Sequence, residues 1–155
     1  MAERGQYLYE WPRPMVTVDA LVFCTFPEGH KVLLIKRARA PYQGSWAVPG
    51  GFLELDEELP QGAARELHEE TGLSGVKLIQ FRTFGQMGRD PRGRLITIVY
   101  VGMVPPANAT VQAGDDAAEA NWFPVDDLPS PMAFDHAQIV PDAWDYIQCH
   151  LAPAQ

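Results

Sequence analysis

Residues 49–73, PGGFLELDEELPQGAARELHEETGL, carry seven acidic side chains in 25 positions, bounded by glycines. Glu66, Glu69 and Glu70 stand at i, i+3 and i+4, so on a helix they share one face, where like charges repel by a few tenths of a kcal/mol per pair. Hard divalent cations such as Mg²⁺ take oxygen ligands in octahedral array, usually a few carboxylates completed by waters and substrate phosphates. Three glutamates on one face suit that demand, and Arg65 beside them can fix a carboxylate rotamer. A solvated acidic face is the better account of "EHEE" taken alone. The surroundings must decide.

The elements that would position these carboxylates are legible in the pattern. MVTVDALVFCTF (15–26) reads as a strand covered on both faces, PEGH as a turn and KVLLIKR (31–37) as its hairpin partner. APYQGSWAVPGG is loop, with WAVP a short strand inside it. Residues 58–71 read as a helix capped by Asp56 or Glu57, with Pro60 in its first turn and Gly72 as its stop. Its polar face would be exposed, while Ala63, Ala64, Leu67 and Thr71 pack on the sheet. VKLIQFRTFG (76–85) and LITIVYVGMV (95–104) read as strands. A polar connection over 105–120 leads to a short strand at NWFP, and residues 135–152 read as a last helix with Pro141 early or at a break. Strands interleaved with two helices predict a mixed α/β fold in one domain, 1–155, with residues 1–14 as an N-terminal arm.

Composition narrows the class. A formal net charge of −8 argues against a nucleic-acid partner. No apolar run approaches the roughly 20 residues of a membrane span, and the N-terminus lacks an apolar signal core, so a cytoplasmic protein is expected. Cys24 and Cys149 have no metal-ligand spacing and read as buried or incidental thiols. An anionic substrate would need local cations. Lys36, Arg37 and Arg39 form one basic group and Arg82, Arg89, Arg92 and Arg94 another.

Read outward from the glutamates, the chain has Gly51, five residues, Glu57, seven residues, then RELHEETGL (65–73). This resembles the Nudix box, G-x5-E-x7-R-E-U-x-E-E-x-G-U with U aliphatic, at all nine fixed positions of residues 51–73. The resemblance implies an α/β/α sandwich with a mixed sheet, and hydrolysis of a nucleoside diphosphate linked to another moiety. It makes Glu66, Glu69 and Glu70 ligands of Mg²⁺ (Mn²⁺ possible), with the Gly50 carbonyl completing the site. Arg65 and Glu57 would pair and brace the glutamates. Glu69, Glu70 and Arg65 then belong to the catalytic set, with a general base from the loop AGDDAAEANWF. Of Asp115, Asp116 and Glu119, the spacing of Asp116 ahead of Trp122 best resembles a loop carboxylate of some family members.

The flanks YEWPRPMVTVD, LLIKRARAPYQGSWAVPGGF, RDPRGRLITIVYVG, DDAAEANWFPVDDLP and AFDHAQIV together resemble the ADP-ribose pyrophosphatase branch and the Nudix domains of NAD-metabolism regulators. That implies a small-molecule nucleotide diphosphate substrate, ADP-ribose split to AMP and ribose 5-phosphate. Arg37 and Arg39 would meet phosphate, and Trp46, Tyr42 or Phe134 would stack on adenine. Arg89, Arg92 and Arg94 would order the 85–94 loop or touch a substrate across a dimer, and His136 would reach ribose or phosphate. A homodimer is expected, with the aromatic arm QYLYEWPRP crossing to a partner copy. Two rivals stay open: the same chemistry on a damaged triphosphate or dinucleoside polyphosphate, and an ADP-ribose sensor without turnover. The related regulators carry a winged-helix segment after the Nudix domain, and none is expected here before Gln155.

Overall fold

The strand β1 (Met15–Phe26) sorts its side chains by period two, and that sorting builds the molecule. In the computed structural model, which describes residues 5–151, Val18, Ala20, Val22 and Cys24 face one helix, α1 (Leu59–Thr71). Leu21 and Phe23 face the other, α2 (His136–His150). Both faces are buried, so the strand reads as a continuous apolar run rather than an alternation.

β1 pairs antiparallel with β2 (Gly29–Arg37) and parallel with β6 (Leu95–Val104). The sheet runs β3 (Trp46–Ala47), β2, β1, β6, β5 (Ile79–Phe84), with β4 (Gly50–Phe52) paired to β1 and β7 (Ala117–Pro124) paired to β2. A mixed sheet between two helices is the α/β/α sandwich expected.

Several boundaries differ from the expectation. The helix cap is Glu58, whose amide donates to Gln61 Oε1 at 3.0 Å, not Asp56 or Glu57. Glu57 cannot serve, because its carboxylate accepts from the Glu54 amide and from Arg65. Gly72 ends the helix with φ +76°, and its amide reaches the His68 carbonyl. Only Ile79 onward joins the β5 ladder, opposite Val101. The last strand begins at Ala117 rather than Asn121, since Ala117 already pairs with Arg37. Gly50–Phe52, expected as loop, forms a short strand against β1. The last helix runs through Pro141, and the expected residue 152 lies outside the described residues.

Candidate active site

The glutamates of α1 do not form an exposed polar face. Glu66 and Glu70 are buried along with Ala63, Leu67 and Thr71, whereas Ala64 is the residue left in solvent. The reason lies in what faces them. β4 runs alongside α1 with two glycines, and a Cβ added at Gly51 would sit 2.5 Å from Glu66 Oε1. The absent side chain leaves the space that the carboxylate fills.

Each glutamate is held differently. Arg65 donates Nε and Nη2 to Glu57 at 2.8 and 2.6 Å, a two-pronged pairing that fixes the guanidinium. Its Nη1 donates to Glu66 Oε1 at 2.8 Å and Glu69 Oε2 at 3.2 Å, and Nη2 also reaches the Phe52 carbonyl. Glu70 Oε2 instead accepts the Gly50 amide at 2.9 Å. Arg65 holds the Glu57 carboxyl below its usual range. Burial pushes Glu66 up, and burial pushes Glu70 well up, against the Gly50 hydrogen bond that lowers it.

The donor set suits a hard divalent cation in kind: carboxylate oxygens from three glutamates, two of them buried, of which Glu70 makes no ion pair among the described residues. Among the described residues, however, no three His, Cys, Asp or Glu groups already converge on one point. Arg65 Nη1 and the Gly50 amide occupy oxygens that a cation would share.

Beside Gly50 and Gly51 lies a polar cavity of about 50 Å³, lined by Arg37, Arg89, Arg92 and His136. The two basic groups of the sequence thus partly converge. Phe134 steadies two of their members: the guanidiniums of Arg37 and Arg92 lie 5.2 and 5.5 Å from its ring centroid. Tyr42 meets the same ring edge-on at 4.9 Å. Phe134 and Tyr42 share positive φ, +51° and +59°, a conformation that costs energy for bulky residues. Arg89 is almost wholly buried and forks onto Asp135 at 2.9 and 2.6 Å. Arg92 forks onto buried Asp90 at 3.0 and 2.8 Å. Burial raises Asp90, but the Arg92 hydrogen bonds outweigh it and its carboxyl stays low.

Other expected residues lie elsewhere. Trp46 packs against Phe123 at 4.6 Å in the sheet–α2 core and does not line the cavity. Arg82 pairs with Asp142 on the far edge, and Arg94 holds the Gly85 carbonyl. Asp116 lies at the start of the loop's return into β7, with Oδ1 3.1 Å from Arg39 Nη1. The loop is pinned to the end of α1 by Gln112 and Gly114 amides bonding Thr71 and Glu70 carbonyls. Glu119 pairs with Lys36 at 3.0 Å.

Two residues gain a place that the sequence did not single out or only half supplied. His136 is buried, and its Nδ1 accepts the Val48 amide at 3.0 Å, which leaves the proton on Nε2; burial lowers its pKa to about 3, so the ring is neutral. Asp19 in β1 was hidden within an apolar run. It lines the same cavity, accepts Thr97 Oγ1 at 2.5 Å, and burial pushes it up to about 6 against that hydrogen bond. A lone charged residue inside a buried strand was the signal available.

Residues 15–143 match the NUDIX domain family. ADP-ribose pyrophosphatase of Methanocaldococcus jannaschii is 39% identical over 129 residues, covering 83% of this chain and 72% of that protein. The ADPR-responsive transcriptional repressor NtrR of Acinetobacter baylyi is 33% identical, covering 87% of this chain but only 55% of its own length. The NUDIX domain of Shewanella oneidensis NrtR, solved with ADP-ribose, superposes with a TM-score of 0.82 at 33% identity, covering 88% and 90% of the two chains.

Proposed function

Because the chain belongs to the Nudix family, we propose that it hydrolyses ADP-ribose to AMP and ribose 5-phosphate. The observation that carries this reading is the position of Gly50. Its amide meets Glu70, and it also lines the cavity where Arg37, Arg89 and Arg92 converge. A diphosphate lying across the opening of that cavity would have box carboxylates on one side and guanidiniums on the other.

In this reading Glu66, Glu69, Glu70 and the Gly50 carbonyl hold Mg²⁺, with Mn²⁺ an alternative. The metal, when bound, screens the diphosphate and lowers the pKa of a water. Arg65 locks the rotamers of Glu66 and Glu69 through Nη1, its own position set by Glu57. Arg37 and Arg92 take phosphate oxygens, and Phe134 limits their motion. Water attacks one phosphorus, the bridging P–O bond breaks, and Asp116 accepts the proton once it leaves Arg39.

The similarity to repressors that respond to ADP-ribose favours one second reading, binding without turnover. Product analysis after incubation with ADP-ribose, with and without Mg²⁺, separates them. AMP and ribose 5-phosphate formed only with metal are expected. Tight binding without products would favour the sensor, and faster cleavage of triphosphates would overturn the substrate assignment.

A further inference from the structure

Asp19 has a feature that the diphosphate chemistry does not use. It is 7% exposed on an interior strand, makes no ion pair among the described residues, and has one hydrogen bond, from Thr97 to Oδ2. Nothing among the described residues donates to Oδ1. A buried carboxylate in that state is costly unless something completes it. The nearest cations are already engaged: Arg89 by Asp135 and Arg92 by Asp90.

His136 lines the same cavity in a complementary state. The Val48 amide occupies Nδ1, and the neutral ring presents Nε2–H with no acceptor among the described residues. The two groups, each at least nine-tenths buried, line the same cavity of about 50 Å³, and each keeps one hydrogen-bonding atom without a partner among the described residues. That space admits about three or four waters, so it takes the edge of a sugar and excludes a nucleobase. The arginines at its rim disfavour a metal ion and favour a ligand that carries phosphate.

We propose that Asp19 and His136 recognise the hydroxyls of the terminal sugar of a sugar–diphosphate substrate, Asp19 Oδ1 accepting from a hydroxyl and His136 Nε2–H donating to one. Thr97 is the positioning residue that aims the Asp19 carboxylate. The inference rests on the proposed function, because ADP-ribose has such a sugar beyond its diphosphate while a nucleoside triphosphate does not. A site built to bond hydroxyls penalises a ligand without them, since its own buried groups are then left unpaired.

The test is a binding titration of the full chain in Mg²⁺, followed by ligand-observed NMR. Its two probes are ribose 5-phosphate and tetrahydrofurfuryl phosphate, which has the same ring and phosphate without the hydroxyls. Wild type is expected to prefer ribose 5-phosphate by about tenfold to a hundredfold. Asp19→Asn keeps an oxygen for Thr97 and turns a donor toward the cavity, so the preference should vanish while affinity for the hydroxyl-free probe holds. Thr97→Val, a near-isosteric change, should reduce the preference without abolishing it, and serves should Asp19→Asn fail to fold. An unchanged preference in either variant, or equal weakening of both probes, would overturn the proposal. Turnover of ADP-ribose by a wild type without the preference sinks this inference alone. The preference without any turnover would leave it standing and remove the catalytic reading.

Discussion

In the proposed reading Glu70 meets two opposed demands: it must stay ionised to bind a cation, yet burial favours its protonated form. Glu70→Gln removes the charge while retaining an acceptor for the Gly50 amide. Turnover should fall by about 10²-fold or more, whereas the metal-free melting temperature should hold or rise. Unchanged turnover would take Glu70 out of the site. The burial of this residue also corrects the expectation of an exposed glutamate face. His136 makes a second residue-scale prediction. Its pKa of about 3 lies below the unfolded value, so the unfolded chain binds more protons and stability is lost as pH falls from about 6.5. Asp19, raised to about 6, works with the opposite sign and stabilises the fold as pH falls from about 6 to 4. His136→Asn removes the first effect and keeps an acceptor for Val48. Metal-free melts should show the variant gaining on wild type by up to about 2–3 kcal/mol between pH 6.5 and 4.5. A pH-independent difference would mean that His136 is charged or open to solvent.

At the scale of the element, α1 was legible because its two faces carry different chemistry. Leu67 anchors its inner face, fully buried against β1. Leu67→Ala should lower stability by about 2–5 kcal/mol in a denaturant titration, and a negligible change would mean the core closes over the gap. The outer boundary depends on β4. Gly51→Ala drives a Cβ into the Glu66 carboxylate, so it should raise the Mg²⁺ concentration needed for half-maximal turnover by about tenfold to a hundredfold. If metal dependence is unmoved, the glycine does not shape the carboxylate's position.

For the whole molecule, a net charge of −8 and two buried glutamates lead to the prediction that a bound divalent cation stabilises the fold. Mg²⁺ at about 100 times its dissociation constant should add about 2.7 kcal/mol, read as a rise of several degrees in melting temperature over an EDTA control. Glu70→Gln should show little of that rise. A wild type indifferent to Mg²⁺ would count against the box as a metal site.

The nine positions of residues 51–73 determined the family, and with it the sandwich and the helix, because their spacing is local and each residue type answers a backbone or metal requirement. Period-two and period-3.6 patterns placed β1, β2, β6 and both helices for the same reason: they depend on neighbours along the chain. What the tertiary structure alone decided is which distant residues meet. Arg37 and Arg92 meet over Phe134, Arg82 goes to Asp142, and Trp46 goes to the core, although all belong to groups that look alike in sequence. Asp19 and His136 reach one cavity because β1 turns its odd-numbered side chains toward α2, whose first residue is His136. Side chains 117 residues apart share that space through sheet order and helix docking, which local spacing does not encode.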